Sequence, residues 1–377
     1  MGSDRIPHFA LFPFLSQGHL IPILYLGRLL RRHSAAVTVF TTPKNVATVK
    51  AIIRDADDID VVILPFPQNI DGVPAGVENT HDLPSMESFL PFARATTSMK
   101  ESFEEGLRTL RPPASAVISD MFLGWTLSSA AKFQIPRYVF SGMGNFASAI
   151  LIIVSTQRPQ AGTESVDEEF SLKDFPAIKL TRNDFEPPFN EVDPTGPHAD
   201  FVAEQYEARI MSQGSLVNSA HELEKEFEDY LNTKFSPRVI SAGPFCLTAE
   251  TPPLPPSTAS YIKFLDIKQG EGESVLYVSF GTQAEISRDQ IKEIATGLEN
   301  SGVNFLWALR TSTAGDDFFD GFENRVKNRG AVIREWVDQL LILRHEAVKG
   351  SLSHCGWNSV TESISAGVPI LAMPFMA

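Results

Sequence analysis

The chain has 377 residues, of which 43% are hydrophobic and 21% charged, which favours two domains with separate cores over one. A formal net charge of -14 argues against nucleic acid or an anionic membrane as the main partner, although helix N-termini can still bind a small phosphorylated ligand. Its two cysteines, Cys246 and Cys355, exclude a disulfide framework and favour a reducing compartment. No apolar run is long enough to span a bilayer, so we expect a cytoplasmic protein without integral membrane contact.

The first part of the chain alternates short apolar runs with stretches of helical periodicity. We predict strands at residues 9–14, 37–40, 61–66, 116–119 and 138–140, and a helix at 20–30. Runs that are apolar on both faces and alternate with helices are typical of a parallel sheet in a doubly wound α/β domain. Residues 157–200 are rich in Pro, Glu, Asp and Gly, and we predict loops there.

A proline cluster divides the chain. Pro252, Pro253, Pro255 and Pro256 predict a stiff linker at residues 246–260, between an N-terminal domain at 1–245 and a C-terminal domain at 261–377. The second domain repeats the alternation, with strands predicted at 275–280, 305–309, 331–333, 350–353 and 370–373 and helices at 287–300 and 359–366. Two doubly wound domains joined by a hinge imply a ligand cleft between them.

One candidate site follows the first predicted strand. His19, in the run Ser16-Gln-Gly-His19, lies at a strand's carboxyl end, where open α/β sheets bind ligands, and imidazole suits proton abstraction near neutral pH. Asp120 follows the strand at 116–119 and should emerge on the same edge, where a carboxylate would orient the imidazole and stabilise its charged form. The alternative is that each side chain caps the helix after it.

A second candidate site lies near the C-terminus. Gly356 is predicted to end a strand, and Asn358 and Ser359 to open a helix whose amides and positive dipole end would face an anion, with His354 alongside. The alternative is structural, because residues 359–362 also form a capping box. The turn after the strand at 275–280 is a weaker candidate for the same anion, through Ser279, Gly281 and Thr282.

Other polar and aromatic residues near this second site suit a nucleoside. Trp336 could stack on a planar base, and Gln339 and Glu362 could exchange hydrogen bonds with hydroxyls. Trp336 could equally be a core residue. His345, His354 and Cys355 do not form a zinc site, because no further cysteine pair or histidine is spaced to complete it.

A glycine motif in the first half offers a competing interpretation. Residues 142–147, Gly-Met-Gly-Asn-Phe-Ala, follow a strand, open a helix and satisfy the dinucleotide fingerprint. No strand ending in an acidic residue follows about 20 positions later, as that fingerprint requires. We therefore expect the segment to line an acceptor pocket, and keep a nicotinamide-dependent oxidoreductase as an alternative.

The second site carries a family resemblance. The residues Trp336-Val-Asp-Gln339, His345, His354-Cys-Gly-Trp-Asn-Ser359, Glu362 and Gly367-Val-Pro369 resemble, in order and spacing, the signature of plant family 1 UDP-dependent glycosyltransferases. The resemblance covers the whole chain, including the N-terminal glycine loop and the hinge; Asp338 stands where many members have Pro. It implies a GT-B-type α/β fold with two Rossmann-like domains and a cleft, the second domain incomplete. It also implies a UDP-sugar co-substrate, a small hydroxylated acceptor, and neither cofactor nor metal.

The resemblance also implies roles for individual residues. His19 would be the general base and Asp120 its partner in an inverting transfer, most often of glucose. The UDP-sugar would be bound by Ser279, Gly281, Thr282, Trp336, Val337, Gln339, His354, Trp357, Asn358, Ser359 and Glu362. Among these, Trp336 would stack on uracil, Gln339 and Glu362 would bind the ribose, and Trp357 would lie near the sugar.

The C-terminal end departs from the family pattern. The family signature closes with an acidic residue and Gln that bind sugar hydroxyls, whereas this sequence ends at Ala377, immediately before that pair. The helices that follow in the family are also missing. We therefore expect this form to transfer sugar slowly, and keep a truncated, non-catalytic nucleotide-binding relative as the alternative. Separately, we expect the protein to be a monomer.

Overall fold

The structure, a computed structural model, describes residues 6–53, 58–248, 259–281, 286–309 and 317–375. The chain divides into two compact units, Met1–Thr248 and Ala249–Ala377. Most of the predicted linker lies outside the described residues. In the described ranges, no helix combines the length and the apolar character needed to cross a bilayer.

The first unit is an α/β structure. Its strands are β1 (His8–Phe12), β2 (Ala36–Thr41), β3 (Ile59–Ile63), β4 (Ala116–Asp120), β5 (Arg137–Ser141), β6 (Phe170–Ser171), β7 (Lys179–Leu180), β8 (Gly214–Val217) and β9 (Val239–Ser241). Its helices are α1 (Gln17–Arg32), α2 (Val46–Ile53), α3 (Phe89–Ala95), α4 (Lys100–Thr109), α5 (Thr126–Lys132), α6 (Asn145–Gln157), α7 (Pro197–Ile210) and α8 (His221–Lys234).

Seven of these strands form one parallel sheet in the order β3-β2-β1-β4-β5-β8-β9, and β6 pairs with β7 in a short antiparallel hairpin. Both faces of the large sheet are buried, since Ala10 and Phe12 of β1 join one apolar cluster and Leu11 joins another. This burial explains the continuous apolar runs in the sequence. The strand order reverses between β1 and β4, which are parallel neighbours.

The second unit repeats this plan. Its strands are β10 (Val275–Ser279), β11 (Asn304–Ala308), β12 (Gly330–Ile333), β13 (Val348–Ser353) and β14 (Ile370–Ala372). Its helices are α9 (Ala259–Gly270), α10 (Arg288–Ser301), α11 (Asp317–Val326), α12 (Gln339–Leu343) and α13 (Trp357–Ala366). The sheet is parallel, with the order β12-β11-β10-β13-β14, so its reversal lies between β10 and β13.

The predicted strands are all present, with ends shifted by a few residues, and the doubly wound α/β class is confirmed. The prediction of loops at 157–200 is partly wrong, because β6, β7 and the start of α7 lie there. Strands β8 and β9 were not predicted; they have four and three residues, too few to show a period. Helix α1 begins before the predicted residue 20, because residues 17–19 are Gln, Gly and His, which add nothing to the apolar pattern.

Gly330 provides a test of core packing. A Cβ at this position would lie 2.6 Å from Cε1 of Phe305, a fully buried ring that stacks on Phe322. We expect Gly330→Ala to destabilise the protein by about 1–3 kcal/mol, because the ring cannot move without disturbing the core. The control is Gly297→Ala in α10, where a Cβ meets no atom within 4 Å and helix propensity predicts a gain of up to about 1 kcal/mol. Urea unfolding of both variants decides the signs.

Candidate active site

His19 and Asp120 meet at the strand-order reversal of the first unit. Nδ1 of His19, in the first turn of α1, lies 2.7 Å from Oδ2 of Asp120, the last residue of β4. Asp120 is fully buried, and its Oδ1 accepts a hydrogen bond from the backbone amide of Phe122 at 3.0 Å. The capping alternative fails for His19, because Ser16 is the N-cap residue of α1. Asp120 does bond to the turn after β4, but α5 begins only at Thr126.

The surroundings of His19 set its proton affinity. Burial lowers the pKa of His19, while the charge and the hydrogen bond of Asp120 raise it, and the net pKa lies above its ordinary value. Because Nδ1 donates its proton to Asp120, Nε2 carries the lone pair that can accept a proton. The rings of Phe14 and Phe122 lie 5.7 and 5.3 Å from the imidazole, measured between centroids. The pair therefore combines an imidazole that can accept a proton with a wall of aromatic rings.

The glycine motif at 142–147 lies beside this pair. A Cβ at Gly142 would be 4.0 Å from Nδ1 of His19. The helix that the motif opens has its N-terminus occupied, since the carboxylate of Glu224 accepts hydrogen bonds from the amides of Asn145 and Phe146, both at 2.8 Å. A pyrophosphate would need those same amides. The geometry therefore disfavours dinucleotide binding at this segment.

Phe122 also borders a cavity. The cavity has a volume of about 430 Å³, and its wall includes Phe122, Trp125, Phe201 and Arg94. Sequence reasoning did not identify these residues; the signal available was the aromatic pair that follows β4, at positions 122 and 125. Because Phe122 contacts His19 and also lines this cavity, the cavity begins one side chain away from His19.

His354 lies at the strand-order reversal of the second unit. It follows β13, whose Ser353 is the register partner of Ser279 in β10. The imidazole lies close to two glycines: a Cβ at Gly281 would lie 2.7 Å from its Nε2, and a Cβ at Gly356 would overlap it. Gly281 also has a φ of +73°, which favours glycine. Thr282 lies outside the described residues.

Helix α13 begins beside His354. Gly356 is its N-cap residue and offers no side-chain cap, so Trp357, Asn358 and Ser359 form the first turn, as expected for an anion site. The capping-box alternative is wrong, because Ser359 is the third helical residue. Burial lowers the pKa of His354, opposed by a hydrogen bond with the backbone of Ser279. His354 is therefore uncharged at neutral pH and acts here as a hydrogen-bonding group.

A polar network links α12 with α13. Nε2 of Gln339 donates to Oε2 of Glu362 at 2.7 Å and to Oγ of Ser359 at 3.0 Å, while the Tyr277 hydroxyl donates to Oε1 of Gln339 at 3.4 Å. Tyr277, which sequence reasoning missed, looks like an ordinary strand residue in the sequence. Burial raises the pKa of Glu362 to about 7, with the charge of Asp338 adding to it and the Gln339 hydrogen bond opposing it.

The remaining signature residues differ in exposure. Trp336 is 56% exposed, so the core alternative is wrong, and Val337 packs against an apolar cluster of the second unit. Asp338 caps α12 by accepting a hydrogen bond from the amide of Leu341 at 3.0 Å, which gives the departure from Pro a local role. His345 bonds to Asp266 at 3.1 Å. Within the described residues, no three His, Cys, Asp or Glu side chains are grouped as for a metal ion.

Comparisons with known proteins place this architecture. The solved structure of UGT73P12 from Glycyrrhiza uralensis, complexed with glycyrrhetinic acid 3-O-monoglucuronide, matches with a TM-score of 0.85 and 29% identity, over 98% of this chain and 77% of that one. Two Rossmann-like units with their candidate sites at the strand-order reversals define a GT-B-type glycosyltransferase. The sequence family described as UDP-glucoronosyl and UDP-glucosyl transferase matches residues 229–377.

Curated relatives cover nearly the whole chain. UDP-glycosyltransferase 90A1 of Arabidopsis thaliana is 47% identical, covering 98% of this chain and 78% of its own length. Scopoletin glucosyltransferase of Nicotiana tabacum is 35% identical, with corresponding coverages of 98% and 80%. The chain belongs to the plant UDP-glycosyltransferase family. It is an enzyme that transfers a sugar from a UDP-sugar to a small acceptor.

The raised pKa of Glu362 predicts a pH-dependent stability. The carboxyl ionises near pH 4.5 in the unfolded chain but near 7 in the folded one, so burying its charge costs about 3 kcal/mol above pH 7 and nothing below pH 4. Glu362→Gln removes this cost. The free energy of unfolding of the variant, relative to that of the unmutated chain, should therefore be higher at pH 8 than at pH 5. Urea unfolding at both pH values measures this difference. An equal effect of the substitution at both pH values would contradict the shift.

Proposed function

We propose that this enzyme transfers glucose from UDP-glucose to a hydroxyl of a small phenolic or otherwise apolar acceptor, with inversion at the anomeric carbon and His19 as the general base. The observation that carries the proposal is the contact of 2.7 Å between His19 and the buried Asp120. Imidazole held by a carboxylate in this way is suited to proton abstraction near neutral pH.

The chemistry follows from the free nitrogen of His19. Nε2 takes the proton of the acceptor hydroxyl while the oxygen attacks the anomeric carbon from the face opposite UDP. The bond from that carbon to the diphosphate oxygen breaks, and its electron pair leaves with UDP. Asp120 stabilises the imidazolium that forms. A single displacement of this kind converts an α-linked donor into a β-linked product.

On the donor side, we assign the diphosphate to the first turn of α13, with His354, Asn358 and Ser359, and to Ser279, Gly281 and Thr282. The support is that α13 begins after a glycine N-cap, with its first turn beside His354. A helix N-terminus and an imidazole can stabilise a departing diphosphate through hydrogen bonds and the helix dipole.

For the nucleoside and sugar, we assign uracil to Trp336 and Val337, the ribose to Gln339 and Glu362, and the sugar to the vicinity of Trp357. The exposed indole of Trp336 supports a stacking role. Glucose is proposed because the Nicotiana tabacum relative is named a glucosyltransferase, and its named substrate, scopoletin, supports a small acceptor. The aromatic wall beside His19 and the cavity bordered by Phe122 suit an apolar acceptor.

Removing the base should separate catalysis from donor binding. We expect His19→Ala to lower kcat/KM by about 10²–10⁴-fold. UDP affinity should change less than about twofold, because His19 belongs to the first unit and the proposed UDP-binding residues belong to the second. Transfer assays with a panel of phenols, together with calorimetry of UDP, measure the two effects. Transfer within threefold of the unmutated rate would rule out His19 as the base.

The pH dependence tests the role of Asp120. Because protonated imidazole cannot accept a proton, kcat/KM should fall as the pH drops through the raised pKa of His19. Asp120→Asn removes the charge that raises this pKa, so the acid limb of the pH–rate profile should move to lower pH while the maximal rate falls roughly 10–10³-fold. An unshifted limb at full rate would exclude Asp120 from the mechanism.

Stacking on Trp336 predicts a loss of affinity that is independent of the sugar. We expect Trp336→Ala to weaken binding of UDP by roughly ten- to a hundredfold, equivalent to about 1–3 kcal/mol for a stacked base. Trp336→Phe is the matched control, because it keeps a planar ring and should recover most of the affinity. Calorimetry with UDP alone measures both variants. Unchanged affinity for the alanine variant would show that the indole does not contact uracil.

A further inference from the structure

Arg137 is a buried cation that binds the main chain of Asp120, next to the His19–Asp120 pair. It is the first residue of β5, the sheet neighbour of β4, and is 2% exposed. Its Nη2 donates to the main-chain carbonyl of Asp120 at 3.1 Å. Its Nε donates to the hydroxyls of Ser119 and Thr126 at 2.8 and 2.9 Å. The guanidinium therefore holds the end of the strand that carries Asp120.

The same guanidinium reaches the region of α7. Nη1 donates to the hydroxyl of Ser212 at 2.9 Å and to the carbonyl of Ala208 at 3.4 Å, and Nη2 also reaches the carbonyl of Leu123 at 3.4 Å. Ala208 is also part of the cavity wall that includes Phe122. Arg137 thus connects the main chain of Asp120 to the wall of the cavity beside His19.

The positive charge of Arg137 has no packing explanation. Its hydrogen-bond acceptors in the described part of the chain are hydroxyls and main-chain carbonyls, all uncharged. Burial lowers the pKa of Arg137 to about 10, opposed by the charge of Asp120, so the side chain remains a cation at neutral pH. Burying a cation without a directly bonded carboxylate is costly, and a neutral group could satisfy neutral acceptors.

The groups facing the guanidinium leave Asp120 as its electrostatic partner. Asp120 acts on the charge of Arg137 and on that of His19. From α7 and the residues after it, the groups in contact are a carbonyl and a hydroxyl. Of the acidic residues of α7, Glu204 is paired with Arg94 at the cavity. The three charges of Arg137, Asp120 and His19 therefore form one linked set.

We propose that Arg137 is a positioning residue for the general base, through a fixed positive charge that opposes proton binding by the His19–Asp120 pair. Asp120 strengthens proton binding by His19, and Arg137 limits that effect, so that His19 is free to accept the acceptor's proton near neutral pH. The hydrogen bonds of Arg137 also fix the turn at residues 120–126 against α7. The inference rests on the proposed role of His19.

The test compares a charge-removing with a charge-keeping substitution. We expect Arg137→Gln to move the acid limb of the kcat/KM profile to higher pH by about half to one unit, lowering the rate on that limb three- to tenfold, because removing a cation favours protonation. Arg137→Lys keeps the positive charge and should leave the limb in place, even if the loss of some hydrogen bonds lowers the stability of the protein. Arg28→Gln, at a buried arginine in α1 that bonds to the carbonyl of Ile52, is the matched control and should not shift the limb.

A second pair of variants covers the case in which Arg137→Gln does not fold. Ser212→Asp keeps the guanidinium and places a carboxylate at Nη1, so it should neutralise the charge in place and shift the limb in the same direction, whereas Ser212→Asn should not. A limb that stays in place in the folded charge-removing variants, or moves as far in Arg137→Lys, overturns the inference. Failure of the proposed function is distinguishable, since His19→Ala would then keep its transfer rate.

Discussion

The parallel pairing of β1 with β4, and of β10 with β13, is the constraint on which both candidate sites depend. At each pairing the strand order reverses, so the chain leaves the two carboxyl ends in opposite directions and an opening remains between them. His19 and Asp120 lie at the first reversal, and Ser279 and His354 at the second. Residues about a hundred positions apart meet in the first unit because the sheet places these strand ends side by side.

Burial lowers the pKa of the histidine at both sites, but the net shifts of the two histidines have opposite signs. In the first unit, the buried Asp120 overcomes the desolvation of His19 and raises its pKa, which suits a base that must hold a proton after accepting it. In the second unit, no carboxylate of the described residues raises the pKa of His354, which burial lowers, and the pKa of Glu362 is about 7. Below that pH the carboxyl group of Glu362 itself adds little negative charge beside α13. If the ribose binds as proposed, hydroxyls that donate to Glu362 would favour its ionised form, and donor binding would be coupled to release of its proton.

Two helix N-termini that look alike in the sequence behave differently in the structure. Both α6 and α13 begin after a glycine that follows a strand. The amides of α6 are bound by the carboxylate of Glu224, which comes from α8, far along the chain. At α13 the N-cap residue is again a glycine, and the first turn begins beside the imidazole of His354. The group that lies next to a helix N-terminus is therefore decided by the packing of distant segments and not by the glycine that precedes the helix.

The sequence by itself determined the α/β class, the alternation of strands and helices in each half, and the residue types at both sites, because apolar periodicity and a fixed signature are local properties. It did not reveal β8 and β9, which are too short to show a period. Only the tertiary structure decided that Glu224 occupies the N-terminus of α6, that Tyr277 bonds to Gln339, and that Arg137 lies behind Asp120. Each of these contacts joins residues that are distant in sequence. The charges of Glu224 and Arg137 act strongly because the folded sheet and its helices exclude water from them.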